Sequence, residues 1–79
     1  MASVDPIDRG GCVVTVLTPS LRGDEPVRCC YLVVEPDLPS ALELAERRLD
    51  RGQTIESIIY FRKSELPSGA RPGSVLVWS

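Results

Sequence analysis

The stretch Asp37-Leu-Pro-Ser-Ala-Leu-Glu-Leu-Ala-Glu-Arg-Arg-Leu-Asp-Arg-Gly52 decides how this chain folds. Leu38, Ala41, Leu42, Ala45 and Leu49 recur at i, i+3, i+4, i+7 and i+11, a single apolar stripe along an α-helix. Asp37 or Leu38 opens the helix. Pro39 falls in its first turn, where the missing N–H costs nothing. Gly52 supplies the left-handed residue expected to close it after Arg51.

Outward from the helix, the chain reads as strands. Before it, Cys12-Val-Val-Thr-Val-Leu-Thr18 is dense in β-branched residues and bounded by Gly11 and Pro19. Its two faces are Val14/Val16 and Val13/Thr15/Leu17. The polar stretch 19–26 predicts a hairpin loop longer than a tight turn. Val27–Glu35 is the second strand, with Cys30/Leu32/Val34 on one face and Cys29/Tyr31/Val33 on the other. After the helix, Thr54–Lys63 predicts a third strand, with Ile55/Ile59/Phe61 opposite Ile58/Tyr60/Arg62. Pro67, Gly69, Pro72 and Gly73 mark a connection, and Ser74–Trp78 is a short closing strand. Residues 1–11 read as a flexible lead and 12–79 as one domain. The order ββαββ predicts an α+β fold: a four-stranded, mainly antiparallel sheet with one helix packed on one face. The crossover through the helix is right-handed if it joins parallel strands.

Composition narrows the function. The 79 residues are 43% hydrophobic and 25% charged, enough for one small core. Nine basic against eleven acidic residues leave a net charge of −2, which argues against a nucleic-acid binder held by bulk electrostatics. Binding through Arg22, Arg28, Arg62, Lys63 and Arg71 requires that the fold bring them together. With no histidine, imidazole acid–base chemistry, His-activated nucleophiles and most zinc sites are unsupported. Asp24–Glu25 and Glu35/Asp37 fall on loops as solvated carboxylates, and Gly10–Gly11 precedes a strand rather than a phosphate-binding helix. The expectation is a protein without catalytic residues, metal or cofactor. Cys12, Cys29 and Cys30 follow no disulfide or metal spacing and read as free thiols in a reducing cytoplasm, with a link between two copies as the alternative. No secretory segment is visible and no run of apolar residues is long enough to span a bilayer.

Two surfaces stand out. At about 100° per helical residue, Glu43, Glu46 and Asp50 share one flank of the apolar stripe and Arg47, Arg48 and Arg51 share the other. Glu43–Arg47 is a favourable i,i+4 pair and Glu46–Asp50 a repulsive one. The sorted acidic flank suits a basic protein partner. The second surface is the sheet face away from the helix, where Tyr60, Arg62 and Trp78 are candidate anchors, since aromatic residues and Arg dominate interface energetics. Folding of the N-terminal lead and the Pro/Gly loops over that face is the competing reading.

In size, acidity and ββαββ layout, carried by Val13-Val-Thr-Val16, the helix Pro39–Arg51 and the strand Ile58-Ile-Tyr-Phe61, the chain resembles the small phage-encoded anti-CRISPR proteins. The resemblance implies a stoichiometric inhibitor in the host cytoplasm. It would bind the basic DNA-binding surface of a type I CRISPR surveillance complex (Cascade) and block target-DNA recognition, without touching nucleic acid or membrane. The alternative is a bacterial regulatory domain that self-associates through its sheet or its cysteines, so a monomer and a homodimer are both open.

Overall fold

The computed structural model describes residues 8–23 and 25–78. Four strands form one sheet: β1 (Arg9–Thr18), β2 (Val27–Val33), β3 (Thr54–Arg62) and β4 (Val75–Val77), with the helix α1 (Leu38–Glu46) between β2 and β3. The strand order is β3-β1-β2-β4 and every adjacent pair is antiparallel. The ββαββ layout and the α+β class are therefore as the sequence predicts. β2 and β3 run parallel to each other with β1 between them, joined through α1. β3 and β4 are the two edges, so residues 63–74 cross the whole end of the sheet.

β1 starts at Arg9, not at Cys12, so Arg9–Gly11 belongs to the sheet rather than to a lead. The glycines that read as breakers are sites of close approach. A Cβ on Gly11 would sit 2.5 Å from the carbonyl oxygen of Val33, closer than packing permits. The rest of the expected lead, residues 1–7, lies outside the described residues, as do Asp24 and Ser79.

The helix is shorter than its periodicity suggests. Asp37 caps it, accepting hydrogen bonds from the Ser40 N–H at 3.2 Å and the Ser40 hydroxyl at 2.8 Å, and Pro39 sits in the first turn. After Glu46, the backbone tightens to Arg48 N–H→Ala45 and Leu49 N–H→Glu46 bonds. The cause is tertiary. Gln53 accepts the Asp50 N–H at 2.7 Å, the donor that would have continued the helix, and donates to the Thr18 hydroxyl at 2.9 Å. Gly52 is left-handed at φ 85°, but in the following turn. Arg47–Arg51 therefore lies outside α1, and the Glu46–Asp50 pair does not form as helical neighbours.

The helix face of the sheet carries the core: Cys12, Val14, Val16 and Val33 are buried against Ala41 and Ala45, with Tyr31, Leu49, Ile55, Ile58 and Tyr60 packed around them. The faces of β1 and β2 are as their alternation predicts. β3 departs from it. Thr15 pairs with Ser57 and Val16 with Ile55, so Glu56 is an extra, bulged residue. The bulge turns Ile55 onto the helix face with Ile58 and Tyr60, away from Ile59 and Phe61. No helix among the described residues is long and apolar enough to cross a membrane.

Candidate interaction surface

The sheet face away from α1 holds Val13, Thr15 and Leu17 from β1, and Arg28, Cys30 and Leu32 from β2. Ile59 and Phe61 join them from β3, and Leu76 and Trp78 from the β4 edge. No helix covers this face, yet Leu32 is 0% exposed and Val34 only 4%. Two devices account for that. The first is aromatic. β3 and β4 stand three strand spacings apart, about 14 Å, but the rings of Phe61 and Trp78 meet edge-on with centroids 4.9 Å apart. Both side chains lean inward across the central strands, and Gly11, paired with Phe61, has no side chain to obstruct them. The second is the crossing connection. Val34 exchanges backbone hydrogen bonds with Gly73 and Ser74, at 2.7 and 2.9 Å, so residues 66–74 are held against the end of the sheet.

Cover stops there. Ile59 is 61% exposed and Trp78 41%, both large apolar side chains on the same face. They flank Val13 and Phe61 to form an apolar strip over the buried Leu32. At the hairpin end, Arg28 and Glu56 bridge β2 and β3 at 2.7 Å and give the strip a polar rim. An exposed apolar patch with a polar border is the surface pattern of a protein contact. The N-terminal residues expected as a possible cover lie outside the described residues.

The six sequence-selected residues divide between the two sides of the sheet. Glu43 and Glu46 are exposed on α1, and Asp50 is exposed in the turn after it. Glu43 already binds Arg47 at 2.7 Å. Tyr60 and Arg62 follow the helix-side alternation of β3. Tyr60 is half-buried beneath the Arg9 guanidinium, 3.8 Å from the ring centroid. Trp78 alone lies on the open face. Phe61, which sequence reasoning did not select, is its ring partner, and Ile59 stands exposed on the same face at the other edge. The signal for Phe61 was present in its position opposite a glycine, but needed the register to be read.

The basic residues do not assemble into one patch either. Arg28 pairs with Leu17 at the hairpin end of β1, and Arg62 with Arg9 at the opposite end. Among the described residues no group of three or more His, Cys, Asp and Glu side chains could hold a metal. Cys12 is buried, donates to the Glu35 carbonyl at 3.6 Å, and is pushed up to about 11 by burial, with the Glu35 and Asp37 charges adding and Arg9 opposing. Its thiol stays protonated at neutral pH and is a poor nucleophile. Cys29 and Cys30 are half-buried and free. No protein-family model, no curated protein and no solved structure matches this chain.

Proposed function

We propose that this chain is a non-catalytic protein-binding module that acts by occupying a partner's surface. In its most specific form it is an inhibitor of a type I CRISPR surveillance complex that blocks target-DNA recognition in the host cytoplasm. The observation that carries the reading is the open sheet face. Ile59 and Trp78 stand exposed over an ordered floor of Leu32 and Phe61, a preorganised anchor that needs little ordering on contact. The exposed carboxylates Glu46 and Asp50 favour a basic partner and act mainly on encounter rate.

The test is retention of the purified chain on an immobilised type I complex, with target-DNA binding by that complex measured alongside. Stoichiometric retention, loss of DNA binding, and loss of both effects in Trp78→Ala and Ile59→Asp support the proposal. Absence of retention removes the CRISPR form. Retention that survives both substitutions removes the open face as the contact.

A second reading is favoured by one observation. β3 is a nine-residue strand at the sheet edge, paired only with β1. An unpaired edge of that length is a template for another strand, and a second copy of the chain offers the same edge. Sedimentation decides: a dimer that persists in reductant and is lost on Ile59→Lys supports edge pairing. A dimer lost in reductant points to the cysteines instead.

A further inference from the structure

The end of the sheet where β1 begins and β3 finishes gathers three cations. Arg9 and Arg62 are direct cross-strand partners, and Lys63 follows Arg62. Like charges set directly opposite each other destabilise a sheet, and none of the three makes an ion pair among the described residues. The Arg9 guanidinium carbon stands over the Tyr60 ring, 3.8 Å from its centroid, a cation–π contact that itself uses none of the guanidinium's hydrogen-bond donors. Arg9 Nε is buried and has no hydrogen-bond partner among the described residues. A buried, unpartnered donor on a charged group is costly, and native proteins rarely leave one without a role.

A cavity of about 340 Å³ opens at the same place, lined by Arg9 and Lys63 on its charged side and by Val34, Leu66, Ala70 and Pro72 elsewhere. That is the lower end of the size range for small-ligand pockets, and an apolar wall with a few convergent polar groups is their usual lining. Gly10 keeps the pocket in shape. A Cβ there would fall 2.5 Å from Lys63 Cα and 2.8 Å from a methyl of Leu66, so only glycine lets the crossing connection sit this close to β1.

We infer that this cavity binds a small organic oxyanion, with its carboxylate or phosphate head held by Arg9 and Lys63 and a short apolar body against Val34, Leu66 and Ala70. The guanidinium edge offers parallel donors that match either head group. The unpaired Nε of Arg9, the Lys63 charge and the apolar wall are each accounted for by such a ligand. The site is on a different part of the molecule from the open-face strip, so it stands or falls independently of the partner proposed above.

The experiment titrates hexanoate, hexyl phosphate and 1-hexanol into the full chain, followed by amide NMR at Gly10, Val34 and Leu66 and by calorimetry. Saturable shifts with hexanoate or hexyl phosphate, and binding of 1-hexanol weaker by about tenfold or more, support the site, because the charged hydrogen bonds supply that difference. Whichever of the two anions binds more tightly identifies the head group. Arg9→Gln is expected to weaken the anion by about tenfold or more on the same grounds. If that variant does not fold, the exposed Lys63→Gln decides, with a several-fold loss expected. Arg71→Gln, outside the cavity lining, is expected to leave affinity unchanged. Absence of saturable binding by either anion, equal binding of 1-hexanol, or affinity unaffected in a folded Arg9→Gln or in Lys63→Gln overturns the inference.

Discussion

The two faces of the sheet bury residues to the same degree by different means. Under α1, Val14 and Val33 are fully buried by a helix whose own small residues, Ala41 and Ala45, let it approach closely. On the other face, Leu32 is equally buried with no helix above it. There the cover is two aromatic side chains reaching in from opposite edges, and a crossing connection tied to Val34. A helix covers a broad area. Side chains cover a strip and leave the flanks bare: Ile59 and Trp78 remain exposed beside it, whereas on the helix face the exposed apolar residues, Val27 and Val77, lie at the strand ends beyond the core under α1. The difference separates a face built for stability from a face able to do both jobs at once.

The most severe way to break this comparison is Leu32→Ala. If the strip over Leu32 is packed like a core, the substitution costs about 2–5 kcal/mol, the range for truncating a buried leucine. A domain of this size has only about 4–12 kcal/mol in total, so denaturant unfolding will show a large shift in midpoint. A loss under about 1 kcal/mol, the scale of a surface substitution, would mean that the open face is loosely covered and the symmetry of burial is only geometric.

The seal on the helix face has its own probe in Cys12. Burial pushes its thiol from 9.0 up to about 11 in the folded protein. Below pH 9, folded and unfolded states both hold the proton. Between about 9 and 11 only the unfolded thiol ionises, so stability falls as pH rises, by about 2–3 kcal/mol across the window. Tyrosines and lysines titrate in the same range, so the quantity to measure is the wild-type slope minus that of Cys12→Ala. Equal slopes would mean that water reaches the thiol and that the helix does not seal its face.

How much of this was legible beforehand follows from where the information sits. Alternation along β1 and β2 is local, and it placed Val14, Val16, Val33 and Leu32 on their correct faces. The cap at Asp37 is local too, and Asp37→Ala is expected to cost about 1 kcal/mol by thermal unfolding; no change would mean that helix docking alone fixes its start. What escaped depends on distant partners. The helix ends at Glu46 because Gln53, anchored to Thr18, takes the Asp50 N–H, and no periodicity encodes that bond. The β3 bulge at Glu56 is set by pairing with β1, and it reversed the face assigned to Ile55. Gly10 and Gly11 read as chain breakers when they are the positions where the sheet is most crowded, and that misreading hid Arg9, the residue on which the cationic corner turns. The open-face anchor was half visible: Trp78 was chosen by residue type, whereas Phe61 needed the register.

The finest distinction concerns the acidic side of α1. Glu43 and Arg47 bind each other at 2.7 Å while both remain exposed, and such a pair stabilises a helix by about 0.2–0.5 kcal/mol. Glu43→Gln and Arg47→Gln remove the same bond, so the two should lower stability equally in paired denaturant titrations. Their effects on a basic partner should be opposite. Glu43→Gln subtracts a carboxylate from the approaching surface and slows association. Arg47→Gln removes a cation that masks one and speeds it. Because screening shortens the reach of exposed charges to a few ångströms in concentrated salt, both rate changes should vanish there while dissociation stays constant. Matching stability losses with association rates that move in opposite directions would assign the helix side to steering and the open face to holding. Association rates that move together would tie the effect to helix stability instead, and would leave the open sheet face as the whole of the binding surface.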